Sequence, residues 1–131
     1  LEKYHKMIRA HNMKDSFTFI NSFVDKGDIK KYFLSSELVV LPYKSASQSG
    51  VLSLAYNFNR PVITTDVGGL SDYVSDKKSG FIVDPNSEDI SKKINMFFDE
   101  NLFETMSKFI KDNKKIFSWE SFEKKLKLYE K

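Results

Sequence analysis

The fold class follows from the stretch Leu38-Val39-Val40-Leu41-Pro42-Tyr43-Lys44-Ser45-Ala46-Ser47-Gln48-Ser49-Gly50. Its first four residues are all apolar, and a strand whose successive side chains are all apolar needs cover on both faces, as in a parallel sheet. Pro42 has no backbone N–H to give to a ladder, so the strand ends there. Small hydroxyl residues then lead to Gly50. Beyond it Val51, Leu52, Leu54, Ala55 and Phe58 crowd nearly all round one helix, which predicts a helix deep in the core.

Working outward, the same alternation of helical and extended pieces continues on both sides. Upstream, Leu1 to His11 reads as a short helix and Phe17 to Ile20 as a strand, and Gly27 and Asp28 cap a helix through Lys30 to Ser36. Downstream, Val62 to Thr64 forms the next strand. A loop through Gly68 and Gly69 leads to a helical turn near Asp72, and Phe81 to Val83 makes a last strand. Beyond Asp84 the pattern is helical only. Asn86 or Ser87 caps a helix with Glu88 and Asp89 in its first turn and a core stripe of Ile90, Ile94, Phe97 and Phe98. A second stripe follows at Leu102, Met106, Phe109 and Ile110. Ser118 caps a final helix carrying Phe122, Leu126 and Tyr129, with Trp119 at its base. The expectation is an α/β fold: a Rossmann-like parallel sheet of about four strands covered by helices, with helices at the C-terminal end.

A chain of 131 residues, 40% hydrophobic and 15% aromatic, closes one core, so residues 1–131 are expected to form a single domain. Charged residues make up 30% with both signs interspersed and a net charge of +3, far from the one-sided basicity of a nucleic-acid binder. The absence of cysteine removes disulfide scaffolds, thiolate zinc sites and thiol nucleophiles together, and fits a reducing, cytoplasmic setting. Leu1 to His11 lacks the apolar run of a signal peptide or membrane span, and a helix already under way at Leu1 reads as part of a longer chain. The lysines of 108–115 and 124–131 read first as solvated faces. Peripheral contact with an anionic membrane surface is the sharper alternative.

In an open parallel sheet ligands bind beyond the carboxyl ends of the strands, here the loops after Leu41 and after Thr65. Lys44, Ser47, Gln48, Ser49 and Gly50 lie between a strand and a helix start, where uncovered backbone N–H groups suit phosphate. Helix-end electrostatics supply about 0.3 to 1 kcal/mol, against the roughly 4 to 8 kcal/mol of a donor held at millimolar to micromolar affinity, so the loop needs further partners. Asp66 and Asp72 flank the Gly68-Gly69 loop at the same edge, where turn residues bonding their own backbone are an equally good reading. His5 and His11 lie in the first helix without a ligand-spaced carboxylate cluster, and no metal site is expected.

Pro42-Tyr43, Ser47-Gln48-Ser49-Gly50 and Arg60-Pro61-Val62-Ile63-Thr64-Thr65-Asp66-Val67-Gly68-Gly69-Leu70-Ser71-Asp72 together resemble, in order and spacing, the signature stretch of family 4 glycosyltransferases. Lys78-Ser79-Gly80-Phe81-Ile82-Val83-Asp84-Pro85 is similar to that family's short glycine-to-proline strand, and Phe117-Ser118-Trp119-Glu120 to the start of its closing helix. The resemblance implies a partial C-terminal lobe of a GT-B enzyme. That lobe binds a nucleotide-sugar donor, while a missing N-terminal lobe holds a glycan or lipid-linked acceptor. It also implies transfer with retention and no cofactor beyond the donor. Tyr43, Lys44, Ser47, Gln48, Ser49, Gly50 and Val51 are then the donor-binding residues. The diphosphate would rest on the N–H groups of Ser49, Gly50 and Val51, helped by the Ser47 and Gln48 side chains. No catalytic residue is assigned to this chain. Two glutamates common in the family would fall at Ala46, near the donor sugar, and at Leu54, near the ribose, and neither side chain accepts a hydrogen bond. That departure keeps a second expectation open, a non-catalytic nucleotide- or partner-binding module of the same fold.

Overall fold

A computed structural model gives the fold of the chain and describes residues 1–118. Its elements run α1 (Glu2–Ala10), α2 (Lys26–Leu34), β1 (Val39–Leu41), α3 (Gly50–Asn57), β2 (Val62–Thr65), β3 (Gly80–Val83), α4 (Ser87–Asp99) and α5 (Phe103–Asp112), with short 3-10 turns at Lys14–Ser16 and Leu70–Tyr73. The three strands form one parallel sheet in the order β1-β2-β3, with Val39 opposite Val62 and Val62 opposite Gly80. Each strand is followed on its far side by a helix or helical turn, which is the return a parallel pairing requires.

β2 is the centre of the sheet, and all four of its residues are buried. Alternation along it sends Val62 and Ile63 to opposite faces. Val62 joins Leu41, Leu52, Ala55, Tyr56, Leu70, Tyr73, Val74 and Ile110 on one side, and Ile63 joins Phe81, Val83, Phe97 and Met106 on the other. Both faces are therefore covered, as the unbroken apolar runs predict. Tyr56 is buried with its hydroxyl 2.8 Å from the Ser79 hydroxyl, so the polar end of a core aromatic is satisfied. Removal from water pushes the Tyr56 hydroxyl well above the usual tyrosine range, against a smaller lowering from Ser79. At Gly80 a side chain would run into the Val62 carbonyl across the β2–β3 pairing, so only glycine lets the two backbones lie in this register.

Four expectations are corrected. Phe17 to Ile20 is not a strand: it lies exposed, and the described residues offer it no partner, since β1 pairs with β2 alone. An apolar run forms a strand only when a neighbour accepts its ladder. The sheet therefore has three strands among the described residues. The second helix starts at Lys26 behind Asp25, ahead of Gly27 and Asp28, which lie inside its first turn. α3 is not sunk in the core on all sides: Leu52, Ala55 and Tyr56 are buried, while Val51 is exposed and Leu54 half-buried. Phe98, placed in the core stripe, is 50% exposed and meets the buried Phe97 edge-on. The cap at Asn86 holds, its side chain accepting from the Asp89 N–H at 2.9 Å. The final helix proposed after Ser118 lies outside the described residues.

Candidate functional site

The C-terminal ends of β1 and β2 open onto two loops, 42–49 and 66–69, and onto the start of α3. Two close contacts hold these loops together. The Thr65 hydroxyl, at the last position of β2, donates to the Tyr43 carbonyl at 2.6 Å. Gly68, at φ +55, sits so close to the Ala46 carbonyl that any side chain there would collide with it. Gly69, at φ +79, then turns the chain into the 3-10 segment that buries Leu70. A left-handed backbone pair in contact with the neighbouring loop is a position only glycine fills without strain.

α3 begins at Ser49, which is extended, buried, and accepts the Leu52 N–H on its hydroxyl at 3.3 Å. The Tyr43 hydroxyl lies 3.2 Å from the same oxygen. Ser49 is thus a cap fixed from both sides, which a sequence ending in Ser-Gly before an apolar helix already signals. The N–H groups of Gly50 and Val51 come next. They have no acceptor among the described residues, and both residues are exposed. These are the unsatisfied donors of a helix start, at the carboxyl edge of the sheet.

The seven sequence-proposed residues fall into two sets. Tyr43 and Ser49 are drawn together and help build the site, their hydroxyls turned to each other and the Ser49 hydroxyl also to the cap. Gly50 and Val51 offer free N–H donors, while Lys44, Ser47 and Gln48 have exposed side chains beside them. Lys44 joins neither of the two ion pairs found among the described residues, Glu2 with Lys6 and Lys108 with Asp112. Ala46 is half-buried with its backbone against Gly68, whereas Leu54 belongs to neither core cluster. Thr65 was not singled out as a site residue, although a buried hydroxyl at the last position of a central strand is the available signal. Asp66 is exposed, its N–H given to the Val83 carbonyl at 2.8 Å, and borders a separate hollow of about 270 Å³ with Asp84, Asp89, Lys92 and Lys93. His5 meets Phe19 with the rings tilted at 49° and their centres 4.4 Å apart, remote in sequence from these loops.

At the far end of α3, the Lys114 ammonium donates to the carbonyls of Tyr56 and Asn57 at 2.8 and 2.6 Å. A cation on the last carbonyls of a helix satisfies orphan acceptors and opposes the negative helix end. Burial holds this lysine below the usual range.

A parallel α/β sheet whose central strand end ties down a hydroxyl-rich loop, with the first N–H groups of a helix lacking an acceptor among the described residues at the carboxyl edge, is the frame in which the candidate residues lie. The sequence profile described as glycosyl transferases group 1 matches residues 1–116, and the chain belongs to that family. An uncharacterized glycosyltransferase of Methanocaldococcus jannaschii is 28% identical over 122 residues, 90% of this chain and 35% of that protein. Among solved structures, sucrose-phosphate synthase from Thermosynechococcus elongatus superposes with a TM-score of 0.79 at 22% identity, over 98% of this chain and 33% of that one. The C-terminal domain of a glycosyl transferase group 1 protein from Francisella tularensis gives 0.75 at 18% identity, over 85% of this chain and 58% of that domain. The chain thus spans about a third of the length of the first two of these proteins.

Proposed function

We propose that this chain forms the donor-binding part of a glycosyltransferase that moves a sugar from a nucleotide diphosphate to a glycan or lipid-linked acceptor, with retention of configuration. The observation that carries the reading is the start of α3, where the Gly50 and Val51 N–H groups stand free beside a cap locked by Tyr43 and Ser49. Each charge-assisted bond from such a donor to phosphate is worth about 1.5 to 3 kcal/mol. Two of them, with Lys44 alongside, reach the roughly 4 kcal/mol of a millimolar complex. In this reading a cytoplasmic parent enzyme, at most peripheral to the inner face of a membrane, supplies the acceptor site, and the donor is used without a cofactor.

NMR titration of the 131-residue chain with nucleoside diphosphates checks this. Shifts should concentrate at Ser47 to Val51 and saturate in the millimolar range. Shifts confined to other surfaces, or none at several millimolar, would refute it. Ala46 and Leu54 support a second reading, a non-catalytic nucleotide-binding module, because neither offers a carboxylate to the donor. Assay of the full-length parent against a donor panel separates the two, since bound nucleotide with no transfer and no hydrolysis favours the module.

A further inference from the structure

Thr65 closes a central strand whose four residues are all buried, and is itself only 1% exposed. A hydroxyl taken out of water needs a partner, so valine would suit this place better unless the hydroxyl were used. Its partner is the Tyr43 carbonyl, 2.6 Å away and 22 positions earlier in the chain. Strand pairing sets the donor in place. Thr65 lies opposite Val83, and the following N–H, that of Asp66, goes to the Val83 carbonyl at 2.8 Å. Tyr43 is therefore tied to the sheet at its backbone.

Its side chain reaches the helix. The Tyr43 ring packs against the core cluster that contains Leu41 and Leu52, and its hydroxyl shares a hydrogen bond of 3.2 Å with the Ser49 hydroxyl. Ser49 in turn takes the Leu52 N–H at 3.3 Å as the cap of α3. A continuous chain of bonds thus runs from Thr65 through Tyr43 and Ser49 to Leu52. The N–H groups of Gly50 and Val51 lie within the span that it fixes. The close approach of Gly68 to the Ala46 carbonyl adds a second tie, at the middle of the loop.

We infer that Thr65 is a positioning residue for diphosphate binding, acting through Tyr43 and Ser49 to hold the Gly50 and Val51 N–H groups in place before the ligand arrives. The inference rests on the phosphate seat proposed above. A loop that must find its bound geometry on association loses affinity to the ordering, and a loop already set does not. Because Gly68 also restrains the loop, cutting the Thr65 bond weakens the seat without abolishing it.

The test titrates the 131-residue chain and its variants with inorganic pyrophosphate and with uridine and guanosine diphosphates, followed by NMR. For whichever of these the wild type binds, Thr65→Val should weaken binding about fivefold, and Thr65→Ser, which keeps the donor, should stay within about twofold of wild type. Tyr43→Phe cuts the same chain one bond further on and should cost about as much. Adding Thr65→Val to it should then cost less than about twofold more, since residues acting through one network are not additive. Folded Thr65→Val that binds within about twofold of wild type overturns the inference and leaves the phosphate seat standing. So does full additivity in the double variant, or a Thr65→Ser variant that binds no better than Thr65→Val. Should Thr65→Val fail to fold, Tyr43→Phe decides, and wild-type binding by that variant overturns the inference. If the wild type binds none of the three ligands at several millimolar, both readings fall together.

Discussion

Gly68 joins the two loops of the site through an absence of side chain. Its backbone is left-handed and in contact with the Ala46 carbonyl, so Gly68→Ala meets both a conformational and a steric penalty. Strained positions of this kind cost about 1 to 3 kcal/mol. Urea melts should show that loss, and amide shifts should spread from residue 68 into the 42–49 loop; shifts limited to the immediate neighbours of 68 would show the loops to be independent. Tyr56 makes a second prediction, in pH. Its folded pKa lies above the unfolded value near 10, so its contribution is fully present below that value and declines as pH rises, because the unfolded chain releases a proton that the folded one keeps. Stability should fall by about 1.4 kcal/mol per pH unit above pH 10 from this residue. Tyr73, raised by burial and then by Asp72, adds in the same direction. Tyr56→Phe gives up the Ser79 hydrogen bond, about 1 kcal/mol at neutral pH, and should flatten the alkaline slope. An unchanged slope in melts between pH 9 and 11 would assign it to other groups.

Among the elements, α3 is the one on which fold and site meet. Ser49→Ala removes the hydroxyl that takes the Leu52 N–H, a loss of about 1 kcal/mol for such a cap. Asn86→Ala, at the equivalent cap of α4, should cost about the same. Only the Ser49 change should also weaken diphosphate titration, since it frees the Tyr43 hydroxyl and loosens the helix start. Equal effects of the two substitutions on binding would separate the cap from the site. The strands and most helices were legible in the sequence because their signals are local: the apolar run before Pro42, the Arg60-Pro61-Val62-Ile63 entry to β2, and the Asn86 cap with Asp89 three residues on. Phe17 to Ile20 misled because its apolar pattern satisfies strand propensity, while pairing depends on a neighbour that no local pattern records. α3 misled for a related reason. Its apolar residues do ring the helix, yet the burial of Leu54 depends on whether something packs above it, and there the structure has a groove. Thr65 escaped notice as a site residue because its role is a bond to a loop 22 positions away.

At the scale of the whole molecule, the described residues close the sheet on one side and leave it open on the other. The outer edge of β3 is met by the 76–80 turn, with the Asp76 carboxylate accepting the Ile82 N–H at 3.1 Å and the Lys77 N–H given to the Gly80 carbonyl. Among the described residues nothing covers β1 in this way. Val39 gives its N–H to the Pro61 carbonyl on the β2 side, so the alternation of a parallel ladder turns the N–H and carbonyl of Val40 to the open side. An uncovered edge is a template for another strand, and the N-terminal third of the chain adds exposed apolar groups, with Phe23 89% exposed. The 131-residue chain should therefore self-associate with rising concentration, seen as a shift to larger species in sedimentation velocity. Val40→Pro removes the outward N–H and spares the bonds to β2, as an edge position permits. This variant should keep its far-ultraviolet circular dichroism and sediment as a smaller species than the wild type at equal concentration. Retained folding with undiminished association would move the contact from the β1 edge to the apolar surface around Phe23, and substitution of Phe23→Ser would then be the change that disperses it.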